Sequence, residues 1–239
     1  MPLPGEYGPR AKARLTGAFY LVTIVLGAIG EVIAGRIVVP SDAVTTAANA
    51  VQHAGLVELG FACFVIEMVA QTVTTILFYE LLRPVSRTIS LAAAAVSLVG
   101  IAVKTTARVF FVAPLFVLGA GPHGLFQGDP LPLVALLLFR TSAIGAGVAL
   151  ALFGFYAIAK GWLIFRSMFL PAWLGVLGIV AGIGWLAFLA PLFGNRIFAV
   201  VAAVGVIGAL AQIAWLLTVG LDETRWREMA ERARGSEWG

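Results

Sequence analysis

Residues 57–82 read VELGFACFVIEMVAQTVTTILFYELL, a nearly continuous apolar run with few charges. The hydrocarbon core of a bilayer is about 30 Å thick, and a helix needs about 20 apolar residues to cross it. The run exceeds this length and lacks the alternation over about ten residues that is typical of a membrane β-strand. This stretch therefore predicts a transmembrane helix.

Five further stretches have the same character. The six predicted spans cover residues 15–39, 57–82, 88–113, 131–159, 171–193 and 197–220. Of the 239 residues, 61% are hydrophobic and 12% are charged, whereas soluble domains carry about 25% charged residues. The composition excludes a soluble globular fold, a disordered chain and a disulfide scaffold. We predict an all-α fold, a polytopic membrane helical bundle of six transmembrane helices.

The Lys and Arg residues at or beyond the span ends predict the orientation, because cytoplasmic loops are enriched in them. With the N-terminus inside, only Arg36 and Arg196 fall in outer segments. The inner segments hold Arg10, Lys12, Arg14, Arg83, Arg87, Lys160, Arg166, Arg225, Arg227, Arg232 and Arg234. We expect a multi-pass protein of the cell (inner) membrane, with a cytoplasmic N-terminal segment (1–14), a transmembrane domain (15–220) and a cytoplasmic charged tail (221–239).

Three segments outside the spans carry their own patterns. Residues 41–55 open with Ser41-Asp42, a helix N-cap signal, and predict a short helix on the outer surface. Residues 114–130 are rich in Gly and Pro and predict an irregular loop or re-entrant cap that holds His123 and Asp129. The tail mixes Arg with Asp and Glu, which predicts a solvated helix instead of a polybasic lipid-binding patch.

Five charged residues lie deep inside the first four spans, at least five residues from either end: Glu31, Glu67, Lys104, Arg108 and Arg140. On insertion scales each would cost about 2.5–3.5 kcal/mol at the bilayer centre if left unpaired. A rise of about 1.5 Å per residue places four of them about 12–15 Å below the outer helix ends, with Arg108 nearer the outside. The five charges are therefore expected to gather in one layer, as buried ion pairs, as a ligand pocket, or as both.

As a ligand pocket, this layer would bind a small amphiphilic or lipid-like molecule from the outer side. Lys104 and Arg108 are four residues apart and share one helix face, and Arg140 adds a third cation. Gln71 lies one turn after Glu67 and continues a polar stripe. The set favours an anionic or strongly polar headgroup, with Lys104, Arg108, Arg140 and Gln71 as ligand-binding residues.

Two other functions remain open. Glu67, with Glu31, would act as general acid or base in a membrane-embedded enzyme on an isoprenoid or acyl substrate. The same carboxylates would serve a proton-coupled transporter, although no inverted repeat supports one. A purely structural membrane subunit is also compatible with the sequence.

The apolar composition predicts membrane lipid as the partner, and no other motif points to a different one. Cys63 is the single cysteine, and the two histidines, His53 and His123, show no metal-ligand spacing. No phosphate-binding glycine pattern and no basic–aromatic run is present. We therefore expect no cofactor, metal or nucleic acid. The sequence does not predict the oligomeric state.

Four short motifs resemble one protein family. They are ARLTGAFYL at residues 13–21, Ser41-Asp42-Ala43, LRPVSR at 82–87 and FRSMFLP at 165–171. In order and spacing they are similar to the DUF4386 family of uncharacterised bacterial integral membrane proteins, from about residue 13 to 220. The resemblance implies about six membrane helices, and it supplies no catalytic or binding residues to assign to this chain. Met168 stands where a small residue is expected, and Phe139-Arg140 where some relatives carry a histidine.

Overall fold

The computed structural model describes residues 8–119 and 130–235, which are helical with no strand in these ranges. The helices are α1 (Pro9–Ile37), α2 (Ala43–Gln52), α3 (Ala54–Leu82), α4 (Arg87–Val117), α5 (Leu131–Arg166), α6 (Ala172–Trp185), α7 (Pro191–Arg196), α8 (Phe198–Thr218) and α9 (Glu223–Gly235). A 3₁₀ turn, Leu186–Leu189, follows α6. Within these ranges six helices are long and apolar enough to cross a membrane, as predicted: α1, α3, α4, α5, α6 with its 3₁₀ turn, and α8.

Two spans continue beyond their predicted ends. Helix α4 runs through Pro114 to Val117, where the sequence predicted a loop from residue 114. Proline lacks only its own N–H, and the Leu118 N–H still donates to the Pro114 carbonyl at 2.9 Å. Helix α5 reaches Arg166 instead of ending at residue 159. The predicted loop residues His123 and Asp129 lie outside the described residues.

The predicted fifth span, 171–193, is interrupted at Ala190. This residue precedes Pro191 and has φ −116° and ψ 87°, because a following proline disfavours the helical conformation. The span therefore consists of α6 and the 3₁₀ turn, and α7 begins at Pro191.

Helix α2 confirms the predicted short helix within residues 41–55. The Asp42 side chain accepts a hydrogen bond from the Thr45 N–H at 2.9 Å, which caps the helix. The Thr46 hydroxyl accepts from the Val39 N–H at 2.9 Å, and Asn49 donates to the Ile37 carbonyl at 3.2 Å. These bonds hold α2 against the end of α1.

The chain divides into two compact units. Unit 1 comprises Met1–Val22, Ala70–Gly100 and Leu150–Gly239, and unit 2 comprises Thr23–Val69 and Ile101–Ala149. The core of unit 2 contains Phe64, Phe111 and Phe139, which pack edge to face with centroids 5.4 and 5.5 Å apart. The core of unit 1 is built from α1, α3, α5, α6 and α8 and includes Phe78, Leu81, Leu163, Leu174 and Leu216.

Glycines bring α5 and α6 close together in unit 1. A Cβ atom at Gly161 would lie 2.6 Å from the Gly175 carbonyl oxygen, and one at Gly182 would lie 2.7 Å from the Gly154 oxygen. Such distances leave no room for a side chain, so the two backbones are in direct contact. Small residues thus allow α5 and α6 to pack closely.

The tail forms α9, but it is not solvated all round. The Trp226 indole N–H donates to the Leu81 carbonyl at the end of α3, at 2.9 Å. Trp226 and Met229 are partly buried against the core of unit 1. The charge content of the tail hid these two apolar residues, whose i, i+3 spacing places them on one face.

Candidate functional site

Glu67 and Lys104 form a buried ion pair in unit 2. Glu67 lies on α3 and Lys104 on α4, and the Lys104 Nζ is 2.5 Å from the Glu67 Oε1. Gly27 of α1 packs against this carboxylate, since a Cβ at position 27 would lie 2.8 Å from the same oxygen. The pair therefore joins α3 to α4, and α1 closes over it.

Arg108 and Glu31 form a second pair in the same unit. The Arg108 guanidinium donates to the Glu31 carboxylate on α1, and its carbon lies 3.5 Å from the centroid of the Phe64 ring. Arg108 is buried, with 4% of its side chain exposed, whereas 53% of the Glu31 side chain is exposed. Helix α4 thus presents two cations one turn apart, and each is neutralised by a carboxylate of a different helix.

Arg140 does not join these pairs. Its side chain is exposed, and its guanidinium donates to the Pro40 carbonyl, just beyond the end of α1. Although Arg140 lies well inside α5, its long side chain reaches the level of the end of α1, as snorkelling side chains do. Depths estimated from backbone position alone ignore this reach.

Gln71 is buried one turn after Glu67 on α3, in the segment assigned to unit 1. Within the described ranges, two polar atoms of the paired residues are buried without a hydrogen-bond partner, the Glu67 Oε2 and the Arg108 Nε. A substrate would have to reach Oε2 for Glu67 to act as an acid or base. The catalytic roles of Glu67 and Glu31 remain predictions.

Lys160 is a buried cation that sequence reasoning assigned to an inner loop. Because α5 continues to Arg166, Lys160 lies inside the helix and is only 4% exposed. Its Nζ lies 4.4 Å from the ring centroid of Phe78, 4.8 Å from Tyr20 and 5.3 Å from Tyr156. The described part of the chain gives it no carboxylate partner. The spacing of Tyr156 and Lys160, four residues apart, was the available signal.

The aromatic cage of Lys160 also holds a hydroxyl that has no hydrogen-bond partner among the described residues. The Tyr156 hydroxyl is buried close to Thr75 but makes no hydrogen bond of normal geometry with it. The Thr75 hydroxyl is instead bonded to the Ser97 hydroxyl at 2.8 Å. A cavity of about 10 Å³ beside Lys160 and Tyr156 is close to the space that one water molecule needs. It is too small for an organic ligand.

Neither a curated protein nor a solved structure matches this chain. Among the residues that the structure describes, no group of three or more His, Cys, Asp or Glu is placed to hold a metal ion. One family profile, a domain of unknown function, matches residues 15–220, which include all six spans except the first residues of α1. Because this profile covers most of its length, the chain belongs to the DUF4386 family.

Proposed function

We propose that this multi-pass membrane protein binds a lipid-like amphiphile with an anionic headgroup, and that Arg140 is the main headgroup contact. The ligand would lie against unit 2. The bias of Lys and Arg towards one set of loops supports cytoplasmic termini and a location in the cell membrane. In this orientation, Arg140 faces the outer leaflet.

The exposed guanidinium of Arg140 carries the proposal. Its bond to the Pro40 carbonyl is to a neutral acceptor, so the positive charge is not compensated there. A guanidinium presents several donors in a planar fork that fits a phosphate or carboxylate in bidentate fashion. An anionic headgroup would supply the missing negative charge.

The surface around Arg140 suits the apolar part of an amphiphile. Leu133, Leu137 and Ile144 are 67%, 62% and 58% exposed. At spacings of seven, three and four residues from Arg140 they lie on the same face of α5. One cation on an apolar stripe matches a molecule with one anionic head and hydrocarbon chains.

Lys104 and Arg108 have a supporting part in this proposal. Each already holds a carboxylate, and an anion that displaced Glu67 or Glu31 would leave an unpaired charge in a buried place. Their pairs are better suited to fixing α1, α3 and α4 in position. Direct headgroup contact therefore falls to Arg140.

The test is a titration of the detergent-purified protein with phosphatidylglycerol. Native mass spectrometry measures how much lipid is bound. Arg140→Gln should weaken binding about tenfold or more, because a charge-assisted bond contributes about 1.5–3 kcal/mol. Arg36→Gln is the matched control, since Arg36 is also exposed and lies in the last turn of α1. Unchanged affinity in Arg140→Gln, or equal binding of phosphatidylcholine, would contradict the proposal.

A further inference from the structure

Four arginines line one cavity of unit 1. The cavity has a volume of about 770 Å³ and lies between α9 and the segment that joins α3 to α4. Arg83 and Arg87 line it from the α3–α4 side, and Arg232 and Arg234 from α9. None of its described lining residues is acidic. The described lining therefore carries net positive charge, which favours anions.

Helix α9 sorts its charges between two surfaces. Its acidic residues Glu223, Glu228 and Glu231 line a separate surface, together with Arg227, which pairs with Glu223 at 3.0 Å. Arg232 and Arg234 lie on the cavity side. Among the described residues, neither forms an ion pair with an acidic side chain. The mixed composition of the tail thus conceals one basic face.

The wall formed by α9 is held in place. Trp226 lines the cavity and donates its indole N–H to the Leu81 carbonyl. Met229, which also lines the cavity, packs on the core of unit 1. The arginines of α9 are therefore carried by an anchored helix, and less ordering is needed when a ligand binds.

The cavity also receives the N-terminus of α4. Ser86 and Arg87 line the cavity at the first turn of this helix, and the Ser86 hydroxyl accepts from the Ile89 N–H at 3.4 Å. The N-terminus of a long helix carries partial positive charge and favours phosphate groups. It acts here in the same direction as the four guanidinium groups.

We propose that this arginine cavity binds a phosphate ester, in a position independent of Arg140 and of the outer-side proposal. Pro84, Val85 and Trp226 give the cavity an apolar wall, which suits the glycerol and first methylene groups of a phospholipid. The same chemistry would accept a soluble phosphate ester. The two sources are separated by experiment.

The experiment measures binding of phosphatidic acid by the full chain in phosphatidylcholine nanodiscs. The double variant Arg83→Gln/Arg232→Gln removes two cavity cations and should weaken binding about tenfold or more. The control Arg225→Gln/Arg227→Gln removes two cations from the same end of the chain, neither of which lines this cavity. It should leave the affinity within about twofold of wild type.

Parallel titrations with glycerol 3-phosphate and inorganic phosphate identify the source. Competition by glycerol 3-phosphate at comparable concentration assigns a soluble ester, and binding of phosphatidic acid alone assigns a membrane lipid. All of these titrations are repeated with the Arg140→Gln variant, in which binding to the arginine cavity should be unchanged. A failure of the Arg140 proposal can then be distinguished from a failure of the cavity proposal. Equal losses in both double variants, or no loss in the cavity variant, would overturn the inference.

Discussion

The Lys104 ammonium lies 2.5 Å from the Glu67 carboxylate. This contact distinguishes Lys104 from Lys160, the other lysine buried in one of the six long apolar helices. Lys104 has a carboxylate partner inside the membrane span. Lys160 is surrounded by aromatic rings instead. The same substitution at the two positions should therefore change stability in opposite directions.

Lys104→Met should destabilise the protein by about 3–5 kcal/mol, because it leaves the Glu67 carboxylate buried and unpaired. Thermal unfolding of the detergent-solubilised protein, followed by tryptophan fluorescence, measures the loss. The double variant Lys104→Met/Glu67→Gln should recover much of it, since both charges are then absent. A double variant no more stable than Lys104→Met would contradict the ion-pair explanation.

Lys160→Met should raise the unfolding temperature. One cation–π contact with a desolvated cation contributes about 2 kcal/mol. The three rings share a single ammonium, so together they offset only part of the cost of burying it unpaired, which is on the order of 20 kcal/mol before relaxation. Methionine keeps most of the volume and can pack against the same rings. A loss of stability as large as that of Lys104→Met would show that Lys160 has a polar partner in the folded protein.

Gly161→Ala should destabilise the contact between α5 and α6 by about 1–3 kcal/mol, the usual cost of overpacking. The added Cβ would meet the Gly175 backbone oxygen at 2.6 Å, and a backbone cannot move aside as a flexible side chain does. Gly35→Ala is the control, because its Cβ meets nothing within 4 Å and alanine favours a helix. The two variants should shift the unfolding temperature in opposite directions.

Asp42 should make the stability of α2 depend on pH. Hydrogen bonds from the Thr45 hydroxyl and N–H hold the pKa of the Asp42 carboxyl below its ordinary value. The cap is therefore fully present above about pH 3.9 and is lost as the pH falls through the lowered pKa. Hydrogen exchange of α2 should show this loss in wild type, whereas Asp42→Asn keeps a pH-independent cap. Identical pH profiles for the two proteins would contradict this role.

The six spans and α2 could be predicted because length, hydropathy and the Asp42 cap are local properties. The pairs Glu67–Lys104 and Glu31–Arg108 could be anticipated only as a common layer, since their partners depend on which helices pack together. Arg140 departs from that layer because a long side chain moves its charge away from its backbone level. The Lys160 cage combines residues of three helices, and no local pattern brings Tyr20 and Phe78 to one place.

The bond between Trp226 and the Leu81 carbonyl has a consequence for biosynthesis. Helix α9 follows all six spans in the chain, so the ribosome delivers Trp226 after the last of them has been made. The Leu81 carbonyl at the end of α3 therefore lacks the Trp226 hydrogen bond until all six spans have been made. A stop codon shortly after Gly220 would yield a protein with all six spans but without α9, so that the Leu81 carbonyl keeps no bond from Trp226. We expect membrane quality-control proteases to degrade this protein faster than the full chain.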